Sequence, residues 1–235
     1  RDHAIADPMI DIVSHHFYPH IVNDTMAEEA KKVRDKSKGK KPAIIGEWGF
    51  YEIEDVEKFY DEVIDNGLSG ALVWSLRMHD SRGGFAQHRE NDVFAAYHWP
   101  GFDKCMSYQE VELLRATYLK AYEIQGKKPK LIQKPDVPKF IEPVKNPQAQ
   151  IKFQGSTGAY AYDIQRAEKA NGPWTTIGVD IQDDFHYAAA IFKDKTPDLK
   201  EDKTYYYRIR AKSTGGFSDW SKPLAVKIPK SGQYK

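Results

Sequence analysis

The sequence predicts two folds in series: an α/β unit built on a parallel sheet, then an all-β unit of immunoglobulin-like type. Three observations carry this. First, apolar runs such as Pro42-Ala43-Ile44-Ile45-Gly46 and Gly70-Ala71-Leu72-Val73 are separated by segments with helical spacing, the pattern of strands covered on both faces. Second, beyond Gly126 the helical spacing stops, and short strands with turn residues between them take over for about 90 residues, the spacing of a two-sheet sandwich. Third, the charge changes sign. Residues 1–126 carry 15 Lys/Arg against 22 Asp/Glu, a balance of −7, and residues 127–235 carry 20 against 12, a balance of +8. Between the halves, residues 127–138 are rich in Lys and Pro and read as a semi-extended connector. The predicted division is therefore 1–126, a linker at 127–138, and 139–235.

The elements follow in order. Ile10 to Tyr18 is β-rich and stops at Pro19. Asn23-Asp24-Thr25 caps a helix to about Lys36, with Met26, Ala30 and Val33 on one face. Pro42–Gly49 is a strand ending abruptly on charge at Glu47. A second helix, Glu54 to Asn66, places Val56, Phe59, Tyr60 and Val63 together and ends at Gly67. Gly70–Leu76 reads as a third buried strand, His79–Lys104 as a long loop, and Ser107–Gln125 as a last helix. In the second half the predicted strands are 150–154, 159–166, 175–179, 188–192, 204–211 and 224–228.

Composition excludes several classes. The 235 residues balance Lys+Arg 35 against Asp+Glu 34, so the whole chain offers no field for nucleic acid. No apolar run approaches the length of a membrane span, and the mean hydropathy is −0.68. The single cysteine, Cys105, makes no internal disulfide and reads as an inert side chain. Arg1-Asp2-His3-Ala4 reads as neither a signal peptide nor an initiator methionine.

The chemistry-bearing residues end the three parallel strands. Ser14, His16 and Tyr18 share one face of the first, opposite Val13 and Phe17. Ala43, Ile45 and Glu47 share a face of the second by the same period, and Leu72, Trp74 and Leu76 a face of the third. Each strand thus finishes on a polar or aromatic group: Tyr18, Glu47, Trp74. The carboxyl ends of parallel strands are where α/β folds keep their sites. A carboxylate after Ile44-Ile45-Gly46 is costly to bury alone, so Glu47 is predicted to face a wet or hydrogen-bonded cleft. His15 and His16 point to opposite faces and do not chelate. His79, His88 and His98 lie in one loop and do not read as metal ligands. No metal site is predicted.

His16-Phe17-Tyr18, Gly46-Glu47-Trp48-Gly49 and Val73-Trp74-Ser75-Leu76 resemble the sixth, seventh and eighth strands of clan A glycoside hydrolases, closest to family 5 with its endo-β-1,4-mannanases and cellulases. The stretch from Arg77 to Phe102 resembles the eighth-strand loop of mannanase-like members. Past the connector, Tyr205–Ala211, the Ser213–Ser218 turn and Trp220-Ser221 resemble a fibronectin type III module. The resemblance implies the carboxyl-terminal part of a (β/α)8 barrel, about three strand–helix units, followed by a fibronectin III-like sandwich. It implies a retaining, mannanase-like hydrolase acting by double displacement, with Glu47 as nucleophile, Tyr18 donating to it, and His16 lining the pocket. Trp74 would floor the sugar, with Trp48, His79, Asp80 and His88 as further substrate contacts. No metal or organic cofactor is implied. The partners implied are a polysaccharide or oligosaccharide substrate and the missing amino-terminal barrel half, in a secreted or envelope setting. The rivals are a β-1,4-glucanase or exo-glycosidase of the same clan and a non-catalytic carbohydrate-binding protein.

One departure matters. The family's acid/base glutamate sits in an Asn-Glu pair, and none occurs here; Glu90-Asn91 is the reverse order. Retaining glycosidases need two carboxyl groups, so the second is expected upstream of this chain.

Overall fold

The computed structural model describes residues 2–19, 24–86, 89–90, 93–94, 96–103, 109–141, 149–183 and 192–230. The chain divides into two compact units. The first comprises Arg1–Leu76, Arg89–Tyr97 and Gly101–Pro129, the second Arg77–His88, His98–Pro100 and Lys130–Lys235. Two short pieces that sequence assigns to the first half therefore belong with the second.

The first unit opens with α1 (Asp2–Ala6), β1 (Val13–Phe17), α2 (Met26–Ser37), β2 (Ala43–Trp48), α3 (Ile53–Asp65) and β3 (Gly70–Val73). Thr25 and Glu28 form a capping box: each side chain accepts from the other's backbone N–H, at 3.3 and 3.0 Å. The buried face of α2 carries Met26, Ala30 and Val33, and that of α3 carries Val56, Phe59, Tyr60 and Val63. The two-residue strand β4 (Leu76–Arg77) precedes the stretch predicted as loop, β5 (Arg89–Glu90), β6 (Val93–Phe94) and β7 (Tyr97–His98) punctuate it, and α4 (Glu110–Glu123) closes the unit. Tyr60 and Thr117 share a hydrogen bond of 2.6 Å that ties α3 to α4. The predicted start of α4 at Ser107 and the side chain of Cys105 lie outside the described residues.

The three strands are parallel, in the order β1-β2-β3. Val13, Phe17, Ala43, Ile45 and Trp48 are all buried, so this face of the sheet is the one the core covers. Trp48 meets Phe59 and Tyr60 edge-on at 5.4 and 5.3 Å. The opposite face is open: Leu72 is 59% exposed, and Leu76 beyond the strand 52%. The third strand is thus half-buried, not the buried strand that its apolar run predicts. Among the described residues, β1 and β3 each pair with β2 alone.

The second unit holds β8 (Lys139–Phe140), β9 (Gln150–Ile151), β10 (Phe153–Gln154), β11 (Ala161–Ala167), β12 (Thr175–Ile181), β13 (Phe192–Lys193), β14 (Thr204–Ser213), β15 (Gly216–Phe217) and β16 (Leu224–Lys227). A five-stranded sheet runs β12-β11-β14-β15, with β16 also on β14, and all its pairs are antiparallel. β14 alternates strictly: Tyr205, Tyr207, Ile209 and Ala211 are buried, while Tyr206, Arg208, Arg210 and Lys212 are half-exposed. Tyr162, Ile164, Ile151 and Phe153 complete the core. The strand predicted at 150–154 changes partners at Lys152: β9 pairs with β13 and β10 with β8. Most of the strand predicted at 188–192 lies outside the described residues. The connector is packed rather than free, because the Gln133 carbonyl accepts from Ser213 Oγ at 3.0 Å and Lys134 pairs with Asp219 at 2.8 Å.

Candidate functional site

Glu47 is placed by an irregularity that simple alternation misses. β1 pairs His15 with Ile45 but His16 with Glu47, so Gly46 is an extra residue in β2. β3 sees the same insertion, pairing Ala71 with Ile45 and Val73 with Trp48. A bulge of one residue re-aims everything after it. Glu47 therefore leaves the face of Ala43 and Ile45, where the period of two puts it, and joins the open face with Ser14 and His16; Trp48 takes the covered face instead. A side chain at position 46 would be crowded, since a Cβ there would stand 2.2 Å from Ser14 Oγ and 3.4 Å from His16 Nε2.

On that open face the Tyr18 hydroxyl donates to Glu47 Oε2 at 3.0 Å, and His16 Nδ1 lies 3.2 Å from the same oxygen. The Glu47 side chain is 28% exposed and that of His16 49%, so the carboxylate faces solvent. Oε1 carries no hydrogen bond among the described residues. One oxygen is thus held by two side chains and the other is open among the described residues. Trp74, half-buried, follows β3 at the same rim, its backbone N–H donating to the Trp48 backbone carbonyl at 2.8 Å. Gly49 lets these chain ends approach, since a Cβ there would stand 2.7 Å from the Trp74 carbonyl. Phe50, at φ 65°, is fixed by the Tyr97 hydroxyl, which accepts its N–H at 2.8 Å and whose ring stacks on it. An open groove of about 520 Å³ runs along β1, lined by Ile10, Ile12 and Val13 to His16.

The other predicted contacts are placed elsewhere. Trp48 is 0% exposed and belongs to the core, so it presents no ring to a substrate. His79 is in the second unit, stacked on Phe85 at 4.2 Å, with Nε2 3.0 Å from Asp183 Oδ2. Asp183 is buried and also accepts from Tyr162 at 2.6 Å, so His79 acts as partner to an interior carboxylate. Asp80 is spent on its own turn: it accepts from the backbone and side chain of Arg82, which hold its carboxyl down at about 2. His98 is buried against Phe85. His88 lies outside the described residues. Among the described residues there is no cluster of three His, Cys, Asp or Glu fit for a metal, and no helix long and apolar enough to cross a membrane.

No family model and no curated protein sequence matches the chain. Among solved structures it is similar to an Fn3-like protein from Clostridium thermocellum, at 22% identity over 43% of this chain and 97% of that one, with a TM-score of 0.31. It is similar to the fourth FNIII domain of a human protein, at 22% identity over 45% of this chain and 85% of that one, with a TM-score of 0.30. It is also similar to the endo-beta-1,4-mannanase from Thermotoga petrophila, at 14% identity over 96% of this chain, with a TM-score of 0.36; the chain spans 49% of that enzyme's length.

Proposed function

We propose that this chain is the carboxyl-terminal part of a retaining β-glycoside hydrolase, mannan-directed and acting outside the cytoplasm, with Glu47 as its nucleophile and a fibronectin III-like accessory unit behind it. The observation that carries the reading is the carboxylate pinned through one oxygen by Tyr18 and His16, on the open face of a parallel sheet at its carboxyl rim. Attack on an anomeric carbon needs an ionised carboxylate held still. A phenol donating to Oε2 fixes the plane of the carboxylate, while Oε1 forms the bond to the sugar. Trp74 at the same rim supplies an aromatic surface for the apolar face of the ring.

The open edges of β1 and β3 and the exposed Leu72 are where the remaining barrel strands would pair and cover. Those strands bring the acid/base carboxyl, which protonates the leaving oxygen and then activates water. The reading is tested on protein that includes the upstream strands, with a fluorinated mannoside that traps the glycosyl-enzyme. The expected result is one added sugar mass on the peptide holding Glu47, lost in Glu47→Gln. Labelling on a different residue, or none while mannan is still cleaved, sinks it.

A second reading has its own observation: the side chains that engage Glu47 are a phenol and an imidazole, and the chain holds no Asn-Glu pair to supply the second carboxyl that cleavage needs. A chain acting by itself would then bind glycan without cleaving it. Retention on mannan with no reducing sugar released, even with the upstream strands present, would favour that reading.

A further inference from the structure

The outward face of the five-stranded sheet carries a row of cations interleaved with aromatic rings, to which the sequence reading gives no function. Arg208, Arg210 and Lys212 occupy alternate positions of β14, about 6.8 Å apart. The Arg208 guanidinium lies 4.4 Å from the centre of the Trp174 ring and 4.6 Å from that of Trp220. Arg210 lies 4.7 Å from Trp220 and 3.9 Å from Phe217, and Lys212 lies 5.8 Å from Phe217 and 5.6 Å from Tyr160. The result is a straight ladder of four rings and three charges on a flat surface.

Its charges are incompletely matched. Arg210 donates through Nε and Nη2 to Asp163, and Lys212 donates to Asp180. Arg208 has no carboxylate: Nε and Nη2 both donate to the neutral Gln165 Oε1, and Nη1 carries no hydrogen bond among the described residues. Burial, and after it the neighbouring charge of Arg210, work against the charged form of Arg208. An arriving anion would relieve that and find a planar donor edge suited to a carboxylate.

We infer that this ladder binds an acidic polysaccharide, a chain of uronic acid residues laid along β14 with a carboxylate on Arg208. The surface chooses among polyanions. A nucleic acid needs free ring faces on which bases stack, whereas the Trp220 ring is already engaged by two guanidiniums. An acidic peptide would add to a sheet edge through its backbone, whereas the ladder lies on a sheet face. A uronic acid chain needs only donors for its carboxylates, and Arg208 offers one with no carboxylate on it. The preference for a glycan over other polyanions also rests on the glycan-directed reading of Glu47. Binding and hydrolysis are separate readouts, so either can fail without the other.

The test is affinity electrophoresis of the 235-residue chain through gels holding polygalacturonate, neutral galactomannan, polyglutamate or single-stranded DNA. Retardation by polygalacturonate above the other three, fading as salt rises, is expected. Arg208→Gln should weaken it about tenfold, the scale of one charged hydrogen bond, while the chain still unfolds in one cooperative urea transition. Lys169→Gln, an exposed cation off the ladder, should leave it as it was. The inference is overturned by no retardation, by equal retardation in polyglutamate or DNA, or by equal losses from Arg208→Gln and Lys169→Gln.

Discussion

At the scale of single residues, Tyr18 and Gly46 do different work for the same carboxylate. Tyr18 donates one hydrogen bond to a charged acceptor, an interaction worth about 1.5–3 kcal/mol. Tyr18→Phe removes the donor and keeps the ring, so under the proposed hydrolase reading kcat, measured on protein that includes the upstream strands, should fall about 10- to 100-fold. Because the site is solvent-facing, the unfolding midpoint should barely move. A fall in stability that accounts for the lost rate would make Tyr18 structural. Gly46 acts through geometry. Gly46→Ala drives a methyl group into Ser14 Oγ, an overpacking cost of about 1 kcal/mol. Removing the obstruction in the double variant Gly46→Ala/Ser14→Ala should recover most of that loss, as read from urea midpoints. Additive losses would show that the cost at position 46 does not come from Ser14 Oγ.

At the scale of elements, the sequence was readable wherever local rules decide. Thr25 and Glu28 announce their capping box, and Val56, Phe59, Tyr60 and Val63 their stripe, because both depend on residues within a turn of one another. The strand-end residues were legible as a set; the face of Glu47 was not, because a bulge is a property of pairing and a glycine in a strand signals it only weakly. Trp48 was misread for the same reason, its place being the mirror image of that slip. His79 and Asp80 look like free loop chemistry. Their partners are Asp183, remote in sequence, and Arg82, part of a local turn that ordinary loop reading passes over. The open sheet has a consequence of its own. Among the described residues β1 and β3 each have an unpaired edge, and Leu72 and Leu76 are exposed, which favours association, so the 235-residue chain alone should elute in light-scattering chromatography as more than a monomer and release no sugar from mannan. A monodisperse monomer that cleaves mannan unaided would show that the three strands need no completion.

At the scale of the whole molecule, both units bury phenols, and this sets their common limit at high pH. Burial pushes Tyr60 in the first unit well above the ordinary tyrosine value, and Tyr51, for the same reason and with help from Asp55, up to about 12. In the second unit burial raises Tyr162 and Tyr207, and the carboxylates of Asp183 and Asp194 that accept their hydroxyl protons raise them further. A raised folded value means that the neutral form is the one the fold holds. The stability from these groups is therefore complete below about pH 10, where unfolded tyrosines begin to ionise. It drains away as pH climbs toward and past 12, by up to about 1.36 kcal/mol per pH unit for each tyrosine ionised only in the unfolded chain. Urea midpoints should stay level to about pH 10 and then fall steeply, with the last phenolate absorbance appearing together with unfolding. Tyr207→Phe should start lower at neutral pH, having lost its bond to Asp194, and then decline less steeply because one ionisation is gone. If every tyrosine titrated near its ordinary value while the chain stayed folded, neither unit could hold these hydroxyls as the structure places them.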